Sequence, residues 1–228
     1  YATESEILNC INNIDVIGSY TYVGGIVGGI VNGKINKCIN TGNITGAHSV
    51  GGITAIMSNN SEMNCCINSG NIKTATSGSA NTYYIAGGIT GLTNNLSGDT
   101  TSITNCYNIG SVYGYTNTGG ILGLRQGGGK HIVENCYSIG SLSGNRIWGI
   151  AGENSTWNGS PKVTVSNNYW LSGCGANYGD YVYRNNGATP QTVEQIKNLA
   201  ATLGEEWTED TTGINNGYPI LKWQIEEK

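Results

Sequence analysis

Around four of five regularly placed cysteines, large apolar residues recur on one period-two phase. They are Ile35 and Ile39, Met63 and Ile67, then Ile103, Tyr107 and Ile109, then Val133, Tyr137 and Ile139. The cysteines and most asparagines occupy the alternate phase. Short runs of period two between Gly and Asn turns predict strands, not helices. Asn32-Gly33, Thr41-Gly42-Asn43 and Ser69-Gly70-Asn71 supply the turns, because Gly and Asn tolerate positive φ.

The strands belong to two interleaved repeats. The cysteine repeat is centred on Cys10, Cys38, Cys66, Cys106 and Cys136, at spacings of 28, 28, 40 and 30 residues, with Asn168-Tyr169-Trp170-Leu171 as a decayed copy. The second repeat is a glycine pair followed by apolar residues. Its copies are Val23-Gly24-Gly25-Ile26, Val50-Gly51-Gly52-Ile53, Ala86-Gly87-Gly88-Ile89, Thr118-Gly119-Gly120-Ile121 and the degenerate Trp148-Gly149-Ile150. Gly25, Gly52, Gly88, Gly120 and Gly149 fall 27, 36, 32 and 29 residues apart. Two ladders of nearly equal period predict a solenoid. Coils of about 28–40 residues with short strands predict an all-β fold: a parallel β-helix of five to six coils over residues 1–171, expected to be right-handed. Stacking at ~4.8 Å gives a rod of roughly 25 Å. Glycines are expected at tight corners, and the cysteines as a mostly buried structural ladder. The cysteine phase opposes that of its apolar neighbours, so burial requires a bend or bulge in the strand.

Residues 172–228 leave the pattern. Val193, Ile196, Leu199, Ala200 and Leu203 recur at helical spacing after Thr189-Pro190-Gln191-Thr192, with Gly204 as the stop. One helix over about 190–203 is expected within a capping segment that closes the open end of the rod. The N-terminal side shows no such cap, from which a longer rod is expected.

Composition narrows the class. Of 228 residues, 36 are glycine and 30 asparagine, phenylalanine is absent and only 11 % are charged. Glycine lacks the three-residue period of collagen. No apolar run reaches the ~18 residues of a membrane helix. Residues 1–190 carry eight acidic and eight basic residues, so the net charge of −4 arises in residues 191–228. Without a basic stripe, neither nucleic acid nor membrane insertion is expected.

The glycine-pair segments 23–28, 50–55, 86–92, 118–124 and 148–152 resemble the GLUG motif of bacterial surface proteins. That motif occurs in adhesin-like proteins and in immunoglobulin A1 peptidases. The ending Asn215-Asn216-Gly217-Tyr218-Pro219-Ile220-Leu221-Lys222-Trp223 is similar to the close of such arrays. The resemblance implies an extracellular β-helix, at a bacterial surface or secreted, with neighbouring domains in a longer chain. It implies no particular activity.

Candidate chemistry is sparse. His48 and His131 fall in different coils, and no HExxH, GxSxG or phosphate-loop pattern occurs. The seven cysteines include vicinal Cys65-Cys66 but no CxxC pair, so no metal site is expected, nor any cofactor. The chain is therefore expected not to be an enzyme. Aromatic residues recur before the glycine pairs: Tyr20, Tyr22, Tyr83, Tyr84, Tyr113, Tyr115 and Trp148. Stacked along one edge they would form a stripe for a host glycan or surface protein; they would equally serve to shield the edge. The leading functional expectation is a non-catalytic adhesion or ligand-binding module. The alternative is a structural spacer or accessory region of a secreted enzyme such as an immunoglobulin-cleaving peptidase.

Overall fold

The computed structural model describes residues 1–19, 21–75, 83–153, 162–177 and 187–226, without the side chains of 153, 162 and 163. The chain winds into a parallel β-solenoid whose strands stack into four sheets. Sheet I holds Ala2–Thr3, Val27–Val31, Thr54–Ser58, Thr90–Asn95, Leu122–Gly127 and Ala151–Glu153. Sheet II follows with Glu6–Leu8, Lys34–Asn36, Glu62–Asn64, Thr100–Thr104, Lys130–Glu134 and Lys162–Ser166. Sheet III begins with Ile11–Asn12, Ile39–Asn40, Ile67–Asn68, Tyr107–Asn108 and Tyr137–Ser138, and ends with Asn168–Leu171 and Ala188–Gln191. Sheet IV collects two short segments per coil, such as Ile44–Gly46 and Ser49–Gly51, which merge in the long strands Val112–Gly119 and Leu142–Trp148. Pairing is parallel and the repeats are in register: Ile67 lies between Ile39 and Tyr107, and Gly51 between Gly24 and Gly87.

A single backbone feature resolves the conflict of phase. The residue before each ladder cysteine turns into the left-handed region: Asn9, Lys37, Cys65, Asn105 and Asn135 have φ between 51° and 54°, as does Asn167 in the decayed copy. Asparagine tolerates this conformation better than other side-chain-bearing residues, which explains its recurrence. The turn separates sheet II from sheet III and shifts the alternation by one. Met63 therefore points inward, and so do Cys66 and Asn68, whereas Ile67 faces outward. The core is a filled lumen of stacked like residues, with Ile35, Met63, Ile103 and Val133 along sheet II and Ile44, Ile72, Val112 and Leu142 along sheet IV.

The C-terminal segment takes a different position from the one its composition implies. Ala188–Gln191 becomes the last rung of sheet III, with Pro190 beside Trp170. Proline is accommodated there because an edge strand needs no donor on its open side. The helix begins only at Val193, capped by Thr192: the Gln195 N–H donates to Thr192 Oγ1 and the Thr192 N–H to Gln195 Oε1. The expected single helix is two short ones, Val193–Lys197 and Ala200–Leu203. Cys174, Asn177 and Ala188–Gln191 pair onto the last coil, and the segment then runs back along the outer face of sheet III. Ile196, Leu199, Leu203, Trp207 and Leu221 bury Cys65, Ile67, Tyr107 and Tyr137. The outward phase of sheet III carries isoleucine and tyrosine, an apolar face whose burial favours this docking.

Candidate functional site

The two sequence ladders meet across the lumen. Asn40, Asn68 and Asn108 lie two residues after ladder cysteines and are fully buried. Each donates from Nδ2 to the next coil: Asn12 to Asn40 Oδ1, Asn40 to Asn68 Oδ1 and Asn68 to Asn108 Oδ1, all at 2.7 Å, and Asn108 to Ser138 Oγ at 3.2 Å. The same amides donate to the carbonyls of Gly42, Gly70 and Gly110. Opposite them stand the second glycines of the pairs. A Cβ on Gly25 would lie 2.6 Å from Asn40 Oδ1, one on Gly52 2.5 Å from Asn68 Cγ, and one on Gly120 2.7 Å from Ser138 Cβ. Gly149 faces Trp170 in the same way. The glycine repeat thus exists because an amide ladder fills the space a side chain would take.

The cysteines hold the left-handed corner. The Cys106 thiol donates to the Thr104 carbonyl at 3.0 Å, and its sulfur accepts from the Cys66 N–H at 3.4 Å; Cys136 repeats both contacts, with Glu134 and Cys106. In the last coil Asn168 takes over the role, accepting from the Cys136 N–H and donating to the Ser166 carbonyl. A thiol suits this place because it is small and both donates and accepts weakly. All seven cysteines are free, and only Cys10 is less than buried. Burial pushes the Cys106 thiol well above its ordinary range, and burial followed by the Glu206 carboxylate does the same to Cys65.

The aromatic residues do not form one row. Tyr20 lies outside the described residues. Tyr22 stands in register with Ser49 and packs edge-on against Tyr1 at 5.9 Å. Tyr84 is buried between His48 (5.2 Å) and Tyr115 (5.8 Å). Tyr113 is in register with Lys73 and Ser143. Trp148, also buried, takes the register position of the first corner glycines, next to Gly119. Among the six described, Tyr83 alone is clearly exposed. The structure thus brings together Tyr84 and Tyr115, with His48, and leaves Tyr22, Tyr113 and Trp148 at separate positions. Tyr1, Thr21, Tyr22, Gly28 and Gly29 line a shallow notch of about 320 Å³. It opens because Gly29 occupies the position of Ile56 and Leu92 in later coils.

Two other polar features went unforeseen. His131 is 1 % exposed, with Nδ1 2.9 Å from Thr93 Oγ1 and within 3.4 Å of Asn95 Nδ2. Burial, assisted by the nearby Arg125 charge, lowers its pKa to about 4, so the ring is neutral at pH 7. Under the C-terminal segment, Tyr107 and Tyr137 stack at 5.1 Å, and the Tyr137 hydroxyl donates to the Pro219 carbonyl while accepting from Asn215 Nδ2. The period-two pattern marked these tyrosines as apolar but could not name their partners, which lie 78–82 residues away for Tyr137 and 117 for Tyr107. Among the described residues no group of three or more His, Cys, Asp or Glu side chains is placed to hold a metal ion.

Compared with protein-family models and with curated proteins, the chain matches none. Among solved structures it is similar in fold to a putative immunoglobulin A1 protease from Bacteroides ovatus. The TM-score is 0.57 at 19 % identity, over 96 % of this chain and 75 % of that one. No helix among the described residues is long and apolar enough to cross a membrane.

Proposed function

We propose that this chain is a non-catalytic accessory region of a secreted or cell-surface bacterial protein, a stiff spacer that holds its neighbours apart. The filled lumen carries this reading. Side chains of adjacent coils satisfy one another in continuous ladders, so the interior leaves no room for a substrate. The likeness in fold to a putative immunoglobulin A1 protease supports placing such a rod within a secreted peptidase. The test combines incubation with immunoglobulin A1 and a screen against glycan and matrix-protein arrays. A spacer leaves the antibody uncleaved and shows no saturable ligand; cleavage would refute the reading.

An adhesive role is the second reading, favoured by the exposed ring of Tyr83 and the tyrosine-lined notch at Tyr22. The partner would be a host glycan or surface protein, held by flat rings beside hydroxyl groups. Saturable array binding that is lost in Tyr22→Ala or Tyr83→Ala, with melting unchanged, would establish it over the spacer.

A further inference from the structure

Four sulfurs stack one above another in the lumen. Cys38, Cys66, Cys106 and Cys136 are fully buried and belong to the central apolar cluster. Each follows the left-handed corner at the same place in its coil, one residue before Ile39, Ile67, Tyr107 and Tyr137, which pair in register. Each thiol lies within hydrogen-bonding reach of the next: Cys38 of Cys66, Cys66 of Cys106 and Cys106 of Cys136. None is tied up in a disulfide. Adjacent strands lie ~4.8 Å apart. Two metal–sulfur bonds of ~2.3 Å set in a line span nearly the same distance.

The column can give up its protons without stranding a polar group. Each thiol donates to the carbonyl two residues before it, at Asn36, Asn64, Thr104 and Glu134. Those four carbonyls also accept a backbone N–H from the preceding coil, given by Asn9, Lys37, Cys65 and Asn105. They stay paired when a thiol proton leaves, so no buried acceptor loses its last partner. The sulfurs of Cys106 and Cys136 likewise keep the N–H donations of Cys66 and Cys106. Burial by itself raises the Cys66 pKa, but donation from Cys106 and Cys38 outweighs it and draws this thiol below its ordinary range.

We propose that this column is a site for soft monovalent cations, copper(I) or silver(I), one seated between each pair of neighbouring sulfurs. Thiolate is the donor such ions select, and two sulfurs in line complete the coordination of one ion. Four sulfurs leave three gaps. Three ions displace three protons, and the resulting chain of three thiolates, one remaining thiol and three cations carries no net charge. A neutral chain can sit in an apolar lumen, where an isolated ion could not. Zinc does not fit, because it takes four ligands around one point, and the described residues supply no group of even three. The sequence expectation of no metal site rested on spacing along the chain. These ligands come instead from different coils, 28, 40 and 30 residues apart.

Anaerobic refolding of the reduced full chain from urea, with silver(I) and separately with zinc(II), tests this. Gel filtration in a monothiol competitor removes ions held by one sulfur, and metal analysis counts the rest. The folded chain is expected to keep at least three silver ions and no zinc, with the circular dichroism of the metal-free protein. Cys106→Ser should lose two ions, because that sulfur borders two gaps, and Cys136→Ser should lose one. The second variant carries the test if the first does not fold. Cys65→Ser should lose none, since its thiol faces Glu206 outside the column. Four results would each overturn the proposal: no silver on the folded chain, silver content unchanged in the folded column variants, an equal loss from Cys65→Ser, or zinc retained in the same amount as silver.

Discussion

Replacing Gly88 by alanine probes the contact between the two ladders. The new Cβ would lie 2.8 Å from Asn108 Cβ and closer still to Asn108 Cγ and to the Gly120 carbonyl oxygen. The carbonyl belongs to the stacked backbone and has nowhere to go. Overpacking of this kind costs ~1–3 kcal/mol. Displacing the Asn108 amide adds to it, since its Oδ1 accepts from Asn68 and its Nδ2 donates to Gly110 and Ser138. A buried polar group left unpaired costs a further ~1–3 kcal/mol. The sum, about 2–6 kcal/mol, is a large part of the ~5–15 kcal/mol that stabilises a typical domain. For a chain of this size it corresponds to a fall in melting temperature of roughly 10 °C. Urea unfolding followed by circular dichroism gives the free energy directly. Gly128→Ala is the control, because its Cβ would meet only Ser97 Cβ, at 3.9 Å. Adding Asn108→Ser to Gly88→Ala removes the Cγ amide that lies nearest on the side chain, and should recover part of the loss while the carbonyl and Cβ overlaps remain. A Gly88→Ala protein within ~0.5 kcal/mol of the parent, or a double variant that is strictly additive, would refute the coupling.

Three further outcomes are expected. His131 is held neutral with a folded pKa of about 4 against 6.5 when exposed, so the unfolded chain takes up the proton first. Stability should therefore fall by roughly 2–3 kcal/mol as pH drops from 6.5 to 4, and His131→Gln should flatten that slope in urea titrations. Asp210 behaves in the opposite sense. Partial burial raises its pKa, but donation from the Gly217, Asn215 and Thr212 backbones and the Thr212 hydroxyl outweighs this and holds it at about 2. Its contribution is complete above pH 4 and is lost between pH 4 and 2, so Asp210→Ala should lower the urea midpoint at pH 7 and converge with the parent below pH 2. Finally, seven thiols should react with Ellman's reagent in denaturant, whereas in the native protein Cys10 alone should react readily. Fewer than seven after unfolding without reductant would mean that pairing has been overlooked.

Much of the fold can be read from the chain because a solenoid writes its geometry into a period. Each coil buries its residues only against the coils beside it, so like residues recur in register, as Ile39, Ile67 and Tyr107 do. The parallel strands and the corner glycines follow from this regularity. The position of the cysteines does not, because alternation within one strand cannot show a left-handed residue that shifts the phase; the asparagine preceding most of the cysteines was the available signal. The aromatic stripe fails as a single row for a related reason. Its members were aligned by distance from the glycine pair, whereas bulges such as that between Gly114 and Asn117 change the register locally.

The sequence by itself determined the repeat, the parallel stacking and the residue types of each ladder, because these depend on contacts one coil apart. Only the tertiary structure decided what those ladders face. Gly88 opposite Asn108, and the C-terminal tryptophans and leucines over Tyr107 and Tyr137, are relations across the lumen or along a flank. No period encodes them, since they join residues at unequal separations that meet only when every coil has closed.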